Sequence, residues 1–315
     1  MIKTHTIAVV AVWASAFFLF SQEGQSAIKK NGPRCESYKS EFLNRNVRYC
    51  IQRSRPNFHR ISKEPVVYFF HGINGGAKSW TDNGYAEALD QMAEPESFPP
   101  ITFVSFDTSA LSMFSDYGGQ QQGENAYETW FITEFIPMIE AKLDLCRSRN
   151  CRFTAGVSMG GYGALKMALR HSDLFSAAAA NSPSLFPFSL WEPNGAWISY
   201  FSRHEVGSVR GMALLFEVRN IFQNTASADQ NDPDWLARSF WNTSQFPLLY
   251  FDVGGKDYFG FDEGFFRFKS SLEKKGVHFE STFVPDGTHE LFWQRRYDLL
   301  RFFKFRILNA NRRAF

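Results

Sequence analysis

Short apolar runs alternate with longer stretches of helical periodicity along most of the chain. Runs typical of buried strands lie at 65–70, 101–106, 152–157, 177–180, 248–253 and 279–284. Helical stretches lie around 85–92, 127–143, 164–169, 263–275 and 293–308. Regular alternation of strand and helix predicts an α/β fold, with a mostly parallel central sheet and helices on both of its faces.

Two segments depart from this alternation. Residues 183–245 are rich in Phe, Pro and Trp, and we interpret them as an insertion, or cap, over the carboxyl edge of the sheet. Ligands of open α/β sheets bind at that edge, so a few of these aromatic residues are expected in a substrate pocket and most in the core. The tryptophans of the insertion are Trp191, Trp197, Trp235 and Trp241.

Residues 109–124 are polar and glycine-rich and are predicted to form a surface loop.

The first residues of the chain have the pattern of an export signal. Lys3 and His5 precede an apolar run at 7–20, and small and polar residues follow it. The run is too short for a comfortable membrane span, so cleavage near Ser26 or Ala27 is expected, with an uncleaved anchor as the alternative. The pattern predicts an exported protein, periplasmic or secreted, with no stable membrane span after cleavage.

The motif at 156–160, Gly-Val-Ser-Met-Gly, fits the G-x-S-x-G pattern, and its surroundings are those that the pattern requires. An apolar run leads into the motif and a helix-forming stretch, 164–169, follows it. In a nucleophile elbow the serine sits on a strained turn between a strand and a helix, which exposes its hydroxyl. Ser158 is therefore the predicted nucleophile, and a dead site that kept the fold is the alternative.

A serine hydroxyl becomes nucleophilic when a base takes its proton, and that base is usually a histidine held by a carboxylate. In α/β-hydrolases the acid and then the histidine follow the serine along the chain. Asp257 follows the strand at 248–253 and His289 follows the strand at 279–284, so both are expected at the sheet edge of Ser158. A turn-capping role is the alternative for Asp257. Competing residues are less well placed: His171, His204, His278, Asp252, Asp262 and Asp286.

An acyl-transfer site also needs N–H groups that stabilise an oxyanion. The N–H of Met159, the residue after the nucleophile, is expected to supply one of them. The loop after the first predicted strand is expected to supply the other, from Gly72 or Ile73, and the sequence does not separate these two. His71 in the same loop is expected to have a structural role.

The cysteine pattern and the net charge bear on disulfides, metal binding and nucleic-acid binding. Four cysteines in an exported chain predict two disulfides, and Cys35–Cys50 with Cys146–Cys151 is the most economical of the three pairings. Cysteine and histidine residues do not occur at metal-ligand spacing, so we expect no metal and no cofactor. The formal net charge of +2 gives no argument for nucleic acid.

Together these motifs resemble the esterase D family of α/β-hydrolases, which includes S-formylglutathione hydrolases, feruloyl and acetylxylan esterases, and mycolyltransferases. The resemblance spans about residues 65 to 305 and implies that Ser158, Asp257 and His289 form a catalytic triad. Residues 183–245 and 109–124 match no subfamily. An export signal argues against the glutathione thioester role, because that substrate is cytosolic. The matching segments are His71-Gly72 with its glycine loop, 127–137, 156–165, Asp257 and 287–293.

The predicted organisation has four parts: a signal peptide at 1–27, an N-terminal segment at 28–64 with one disulfide, a catalytic domain at 65–308 and a tail at 309–315. The predicted function is that of an exported serine carboxylic-ester hydrolase, acting on a small-molecule or polysaccharide-linked ester. Acyl transfer of the mycolyltransferase type is one alternative. A catalytically inactive binding protein on the same scaffold is another, although it has no reason to keep three chemical residues.

Overall fold

A computed structural model describes residues 32–55, 63–93, 98–119, 123–188, 196–204 and 209–312. The predicted signal peptide at 1–27, Trp191, the side chain of Trp197 and the end of the predicted tail lie outside the described residues.

The described residues form one eight-stranded sheet with the strand order β1-β2-β4-β3-β5-β6-β7-β8. β1 and β2 are antiparallel to each other, and β2 is antiparallel to β4; all the other neighbours are parallel. The prediction of a mostly parallel sheet is therefore confirmed. The strands are β1 (Arg34–Ser40), β2 (Arg45–Arg53), β3 (Val66–Phe70), β4 (Thr102–Phe106), β5 (Arg152–Val157), β6 (Ala177–Asn181), β7 (Leu248–Gly254) and β8 (Phe279–Val284).

Helices cover both faces of the sheet. In the part of the chain that the structure describes they are α1 (Ser79–Asp82), α2 (Tyr85–Ala93), α3 (Tyr127–Trp130), α4 (Ile136–Leu143), α5 (Met159–Arg170), α6 (Ala196–Arg203), α7 (Val209–Phe222), α8 (Thr225–Asn231), α9 (Pro233–Ser239), α10 (Phe261–Lys275) and α11 (Phe292–Arg312). α2 and α11 contribute to the core on one face, and α3, α4, α5 and α10 contribute to the core on the other.

The central strand β3 shows how these two cores arise. All five of its residues are buried. Successive side chains of a strand point to opposite faces, so Val66, Tyr68 and Phe70 enter one core while Val67 and Phe69 enter the other. A strand that is buried on both faces has no polar alternation, which is why the sequence presents it as a continuous apolar run.

The N-terminal segment contributes two strands that the sequence pattern did not reveal. β1 pairs along its whole length with residues 45–51 of β2, and Cys35 lies directly opposite Cys50, with which it forms a disulfide. Because β2 also pairs with β4, the sheet continues across the predicted boundary at residue 64. The second disulfide joins Cys146 to Cys151, immediately before β5.

Replacing both Cys35 and Cys50 by serine is expected to lower the free energy of unfolding by about 3 kcal/mol. This is the loop-closure entropy for the 15-residue separation of the pair. The matched control replaces Cys146 and Cys151, whose separation is 5 residues and for which the same relation gives about 2 kcal/mol. Urea denaturation of both double variants measures the difference, and a larger loss in the control would contradict the loop-closure explanation.

The helical prediction for 127–143 is correct in extent but not in regularity. α3 leads into a π-helical turn, Phe131–Phe135, and α4 follows directly with Pro137 in its first turn. Proline has no N–H to donate and its ring clashes with the carbonyl one turn earlier. We attribute the wider π turn to this constraint, because it lets the helical path continue into α4 past the proline.

The prediction of a surface loop at 109–124 is wrong for its middle part. Ser112, Met113, Phe114 and Ser115 are all buried. The ring of Phe114 packs against that of Phe70 in the core, with 4.8 Å between centroids. The glycine and serine content of the segment gave no sign of this burial of Phe114, whose ring lies between β3 and Gly163 of α5.

Residues 183–245, which interrupt the alternation of strand and helix, include helices α6 to α9 between β6 and β7. α9 packs against α5 and α10, and α7 packs against the turn at 117–119. Trp241 is 90% exposed, so it belongs neither to the core nor to an enclosed pocket. Among the described residues, no helix combines the length and apolar character that crossing a membrane requires.

Candidate active site

Ser158 stands alone between the end of β5 and the start of α5. Its backbone has φ 56° and ψ −122°, a conformation that a non-glycine residue adopts only when the surrounding structure imposes it. The Ser158 N–H donates to the carbonyl of Asn181 at 3.0 Å, and its own carbonyl accepts from the N–H of Ser184 at 3.1 Å. The strained turn is thus held by hydrogen bonds to the end of β6 and to the loop that follows it.

The two glycines of the motif allow a close approach of backbone to backbone. A β-carbon on Gly160 would lie 2.0 Å from the carbonyl oxygen of Phe70, at the end of β3. A β-carbon on Gly156 would lie 2.2 Å from the carbonyl oxygen of Gly160. Both distances are well inside van der Waals contact, so the elbow forms in this shape only with glycine at both positions.

The structure brings Ser158, His289 and Asp257 into one hydrogen-bonded row. His289 Nε2 lies 2.9 Å from Ser158 Oγ, and His289 Nδ1 lies 2.8 Å from Asp257 Oδ2. Asp257 and His289 are 5% and 6% exposed. A carboxylate at Nδ1 keeps the proton on that nitrogen, and Nε2 is then left as an acceptor facing the serine hydroxyl. This arrangement can remove the proton of Ser158.

Three aromatic rings surround the imidazole of His289. The centroids of Tyr258, Phe259 and Phe261 lie 5.7, 4.8 and 5.6 Å from that of the histidine. The N–H of Phe259 also donates to Asp257 Oδ1 at 2.9 Å. The rings shield the histidine from water on the side of the Asp257 loop. Their position directly after Asp257 in the sequence was the available signal for this role, and sequence reasoning missed it.

A buried carboxylate inside β7 holds the loop after β6 in place. Asp252 accepts hydrogen bonds from Asn181 Nδ2 at 2.6 Å, from the N–H of Ser182 at 2.9 Å and from the hydroxyl of Tyr250 at 2.8 Å. Burial raises the pKa of Asp252 to about 6, against the opposing effect of these donors. The carbonyl of Asn181 accepts from the N–H of Ser158, so this network also fixes the position of the backbone at Ser158.

The N–H of Met159, next to Ser158, and the N–H of Ile73, in the loop beside it, both have no acceptor among the described residues. The carbonyl of Gly72 accepts from His71 Nδ1 at 2.8 Å and from the N–H of Gly75 at 3.0 Å. Across a trans peptide the carbonyl and the next N–H point in opposite directions, so the Ile73 N–H is turned away from both donors.

The hydrogen bonds of His71 are made to this loop and to Thr108, not to Ser158. Its Nε2 lies 2.7 Å from Thr108 Oγ1, and its ring is fully buried. Burial lowers the pKa of His71 and favours the neutral ring, with the proton on the nitrogen that faces the Gly72 carbonyl.

A family model described as "Putative esterase" matches residues 40–246 of the chain. The chain belongs to this esterase family. An esterase of Mycobacterium tuberculosis is 27% identical to it over 240 residues, which cover 74% of this chain and 50% of the relative. The chain thus spans about half the length of the curated relatives it matches.

Solved structures similar to this chain have the same fold. A ferulic acid esterase superposes with a TM-score of 0.66 at 22% identity, covering 88% of this chain and 98% of that one. An S-formylglutathione hydrolase from Agrobacterium tumefaciens superposes with a TM-score of 0.67 at 17% identity, covering 90% and 98%. At such identities the likeness shows the α/β-hydrolase fold, and the predicted resemblance to this group of esterases is confirmed.

Three of the competing candidates contact residues outside the row of Ser158, His289 and Asp257. His171 contacts Glu128, His204 contacts Glu263, and Asp286 forms an exposed ion pair with Lys256. Within the described ranges, no cluster of three His, Cys, Asp or Glu side chains is arranged to hold a metal ion. Sequence reasoning missed Ser184, whose hydroxyl lies 3.4 Å from that of Ser158. Its position just after β6, at the active edge of the sheet, was the available signal.

Proposed function

We propose that the protein is an exported serine carboxylic-ester hydrolase in which Ser158, His289 and Asp257 form the catalytic triad. The observation that carries this proposal is the imidazole of His289, which bridges Ser158 Oγ and Asp257 Oδ2 at hydrogen-bond distances. Membership of the esterase family supports the reaction class.

Ser158 Oγ attacks the ester carbonyl while His289 Nε2 takes its proton. Asp257 holds the tautomer and stabilises the imidazolium that forms. His289 then protonates the leaving alcohol, which gives an acyl-enzyme on Ser158. Water attacks the acyl carbon with His289 as base again, and the acid leaves as Ser158 recovers its proton.

The oxyanion of each tetrahedral intermediate is stabilised by the N–H groups of Met159 and Ile73. Met159 begins α5, so its N–H lies at the positive end of the helix dipole. Ile73 is favoured over Gly72 because hydrogen bonds to the Gly72 carbonyl turn the Ile73 N–H away from the loop interior. Each such donor contributes about 3 kcal/mol to the stability of the transition state.

Two features support export and an extracellular substrate. The signal-like pattern at 1–27 precedes a domain with two disulfides, which persist in oxidising compartments. The fold shared with a ferulic acid esterase is consistent with a small-molecule or polysaccharide-linked ester as substrate. A glutathione thioester does not fit an exported enzyme.

A burst experiment with chemical labelling tests this proposal. The purified protein is expected to release p-nitrophenol from short p-nitrophenyl esters in a rapid burst equal to the enzyme present, followed by slower turnover. An organophosphonate is expected to abolish turnover and to add its mass to the peptide that contains Ser158. Products formed with an added acceptor alcohol distinguish hydrolysis from acyl transfer.

Two results would contradict the proposal. Labelling of a residue other than Ser158, with loss of activity, would exclude this nucleophile. A folded protein that neither turns over any ester nor takes the label would be the inactive binding protein. A panel of acetyl and feruloyl sugar esters then identifies the acyl and alcohol parts of the substrate.

A further inference from the structure

A second hydroxyl lies beside the nucleophile and has no part in the triad. Ser184 Oγ is 3.4 Å from Ser158 Oγ, and the N–H of Ser184 donates to the carbonyl of Ser158 at 3.1 Å. Ser184 is 7% exposed. Main chain and side chain of Ser184 both contact Ser158, so the fold places the second hydroxyl next to the nucleophile.

Two glycines allow the loop that carries Ser184 to pack tightly against neighbouring helices. A β-carbon on Gly161, in α5, would lie 3.0 Å from the α-carbon of Pro183. A β-carbon on Gly264, in α10, would lie 2.1 Å from the carbonyl oxygen of Leu185. The residues on both sides of Ser184 are thus held against helix backbone, which fixes the position of the Ser184 backbone beside the reacting centre.

Acylation and deacylation, the two steps of the proposed reaction, differ in whether they need this hydroxyl. In the free enzyme, Ser158 donates its proton to His289 Nε2, so acylation already has its nucleophile oriented by the triad. In the acyl-enzyme that proton is gone, and the attacking water must be oriented anew. One hydrogen of the water points to His289 Nε2, and the oxygen must face the acyl carbon on Ser158 Oγ. The second hydrogen of the water needs an acceptor near the same place.

We propose that Ser184 Oγ accepts this second hydrogen and orients the water that attacks the acyl-enzyme. The water oxygen stands about 3 Å from the acyl carbon, which is itself bonded to Ser158 Oγ, so an oxygen 3.4 Å from Ser158 Oγ borders that space. The water gives one proton to His289 and forms the new C–O bond. Ser158 leaves with the proton that His289 returns, and Ser184 neither gains nor loses a proton. The proposal rests on the proposed function and assigns Ser184 to its second step.

Ser184→Ala separates the two steps in a stopped-flow assay with p-nitrophenyl acetate. We expect the rate constant of deacylation to fall about 10- to 100-fold, as for the loss of one well-placed hydrogen bond. The rate constant of the burst, which reports acylation, is expected to stay within about 3-fold. The burst amplitude should remain equal to the enzyme present. Ser184→Thr, which keeps a hydroxyl, is expected to restore most of the deacylation rate.

Ser176→Ala is the matched control, because Ser176 is buried and its hydroxyl has no hydrogen-bond partner among the described residues. It precedes β6, at the other end of that strand, and both rate constants should stay unchanged. Equal losses of acylation and deacylation in Ser184→Ala, or no loss, would overturn the proposal for Ser184. If that variant does not fold, Ser184→Cys gives the same comparison with a weaker acceptor. A wild-type protein without a burst would instead refute the triad mechanism.

Discussion

Replacing Ser158 by alanine is expected to lower kcat for short p-nitrophenyl esters by a factor on the order of 10⁶, as for removal of the nucleophile from a serine hydrolase. His289 then has no hydroxyl to deprotonate, and no acyl-enzyme forms. The N–H groups and the binding surface remain, so a small rate above that of the uncatalysed reaction is expected to persist. Steady-state assays of the purified variant measure the loss.

Two controls make this result specific to the chemistry. The melting temperature of Ser158→Ala should stay near that of the wild type, because the side chain contributes only its contacts with His289 and Ser184. Ser176→Ala removes a buried hydroxyl away from the site and should keep full activity. More than about one per cent residual activity in a folded Ser158→Ala would contradict the proposed nucleophile.

The elbow could be predicted from sequence because its constraints are local. A strand buried on both faces is mostly apolar, a strained turn needs glycine on both sides, and a helix former must follow. All of these signals fall within about fifteen residues around Ser158. Asp257 and His289 could be predicted from topology, because residues that follow parallel strands come to the same edge of a sheet.

The hairpin of β1 and β2 could not be predicted from the same signals. β1 is the edge strand and most of its positions are exposed or partly buried, while β2 mixes buried with exposed positions. Charged residues such as Arg34, Glu36 and Arg48 therefore interrupt the apolar pattern. The cysteines indicated a link between 35 and 50 but not that it joins two paired strands. Edge strands give weaker sequence signals than central ones because water covers part of their surface.

Buried polar groups were beyond prediction for a different reason. Lys166 lies in α5 between apolar residues, and nothing nearby in the sequence indicates that it is fully buried. Its partners come from distant parts of the chain: Ser115, Glu128 and Asn231. Only the tertiary fold shows that the charge of Lys166 is paired with that of Glu128 and that its ammonium is hydrogen-bonded inside the core.

Replacing Glu128 by glutamine is therefore expected to lower the free energy of unfolding by about 3–5 kcal/mol at neutral pH. Glu128 Oε2 accepts from Lys166 Nζ at 2.9 Å, and its Oε1 contacts Arg170 and His171. Burial opposes ionisation of Glu128, yet the charge of Lys166 and the hydrogen bond of His171 hold its pKa below the ordinary value of 4.5. A neutral amide would leave the ammonium of Lys166 buried without a counter-charge.

The pH dependence of stability has a definite sign. A carboxylate whose pKa is lower in the folded state binds its proton more readily in the unfolded chain. The stability that Glu128 supplies is thus present above about pH 4.5 and is lost as the pH falls below that value. Urea denaturation of wild type and Glu128→Gln should therefore show a difference that is largest near neutral pH and shrinks in acid.

A double variant distinguishes the stability lost through the unpaired charge of Lys166 from the stability lost with the contacts of Glu128. Glu128→Gln combined with Lys166→Met removes both ions, so it should be more stable than Glu128→Gln alone although it differs at more positions. Arg170 and His171 are partly exposed and can turn to water, so their charges should not repeat the penalty. A double variant less stable than the single one would contradict the unpaired charge as the cause. Since Lys166 is in the helix that begins after Ser158, rescue of stability should also bring back activity at temperatures where Glu128→Gln is unfolded.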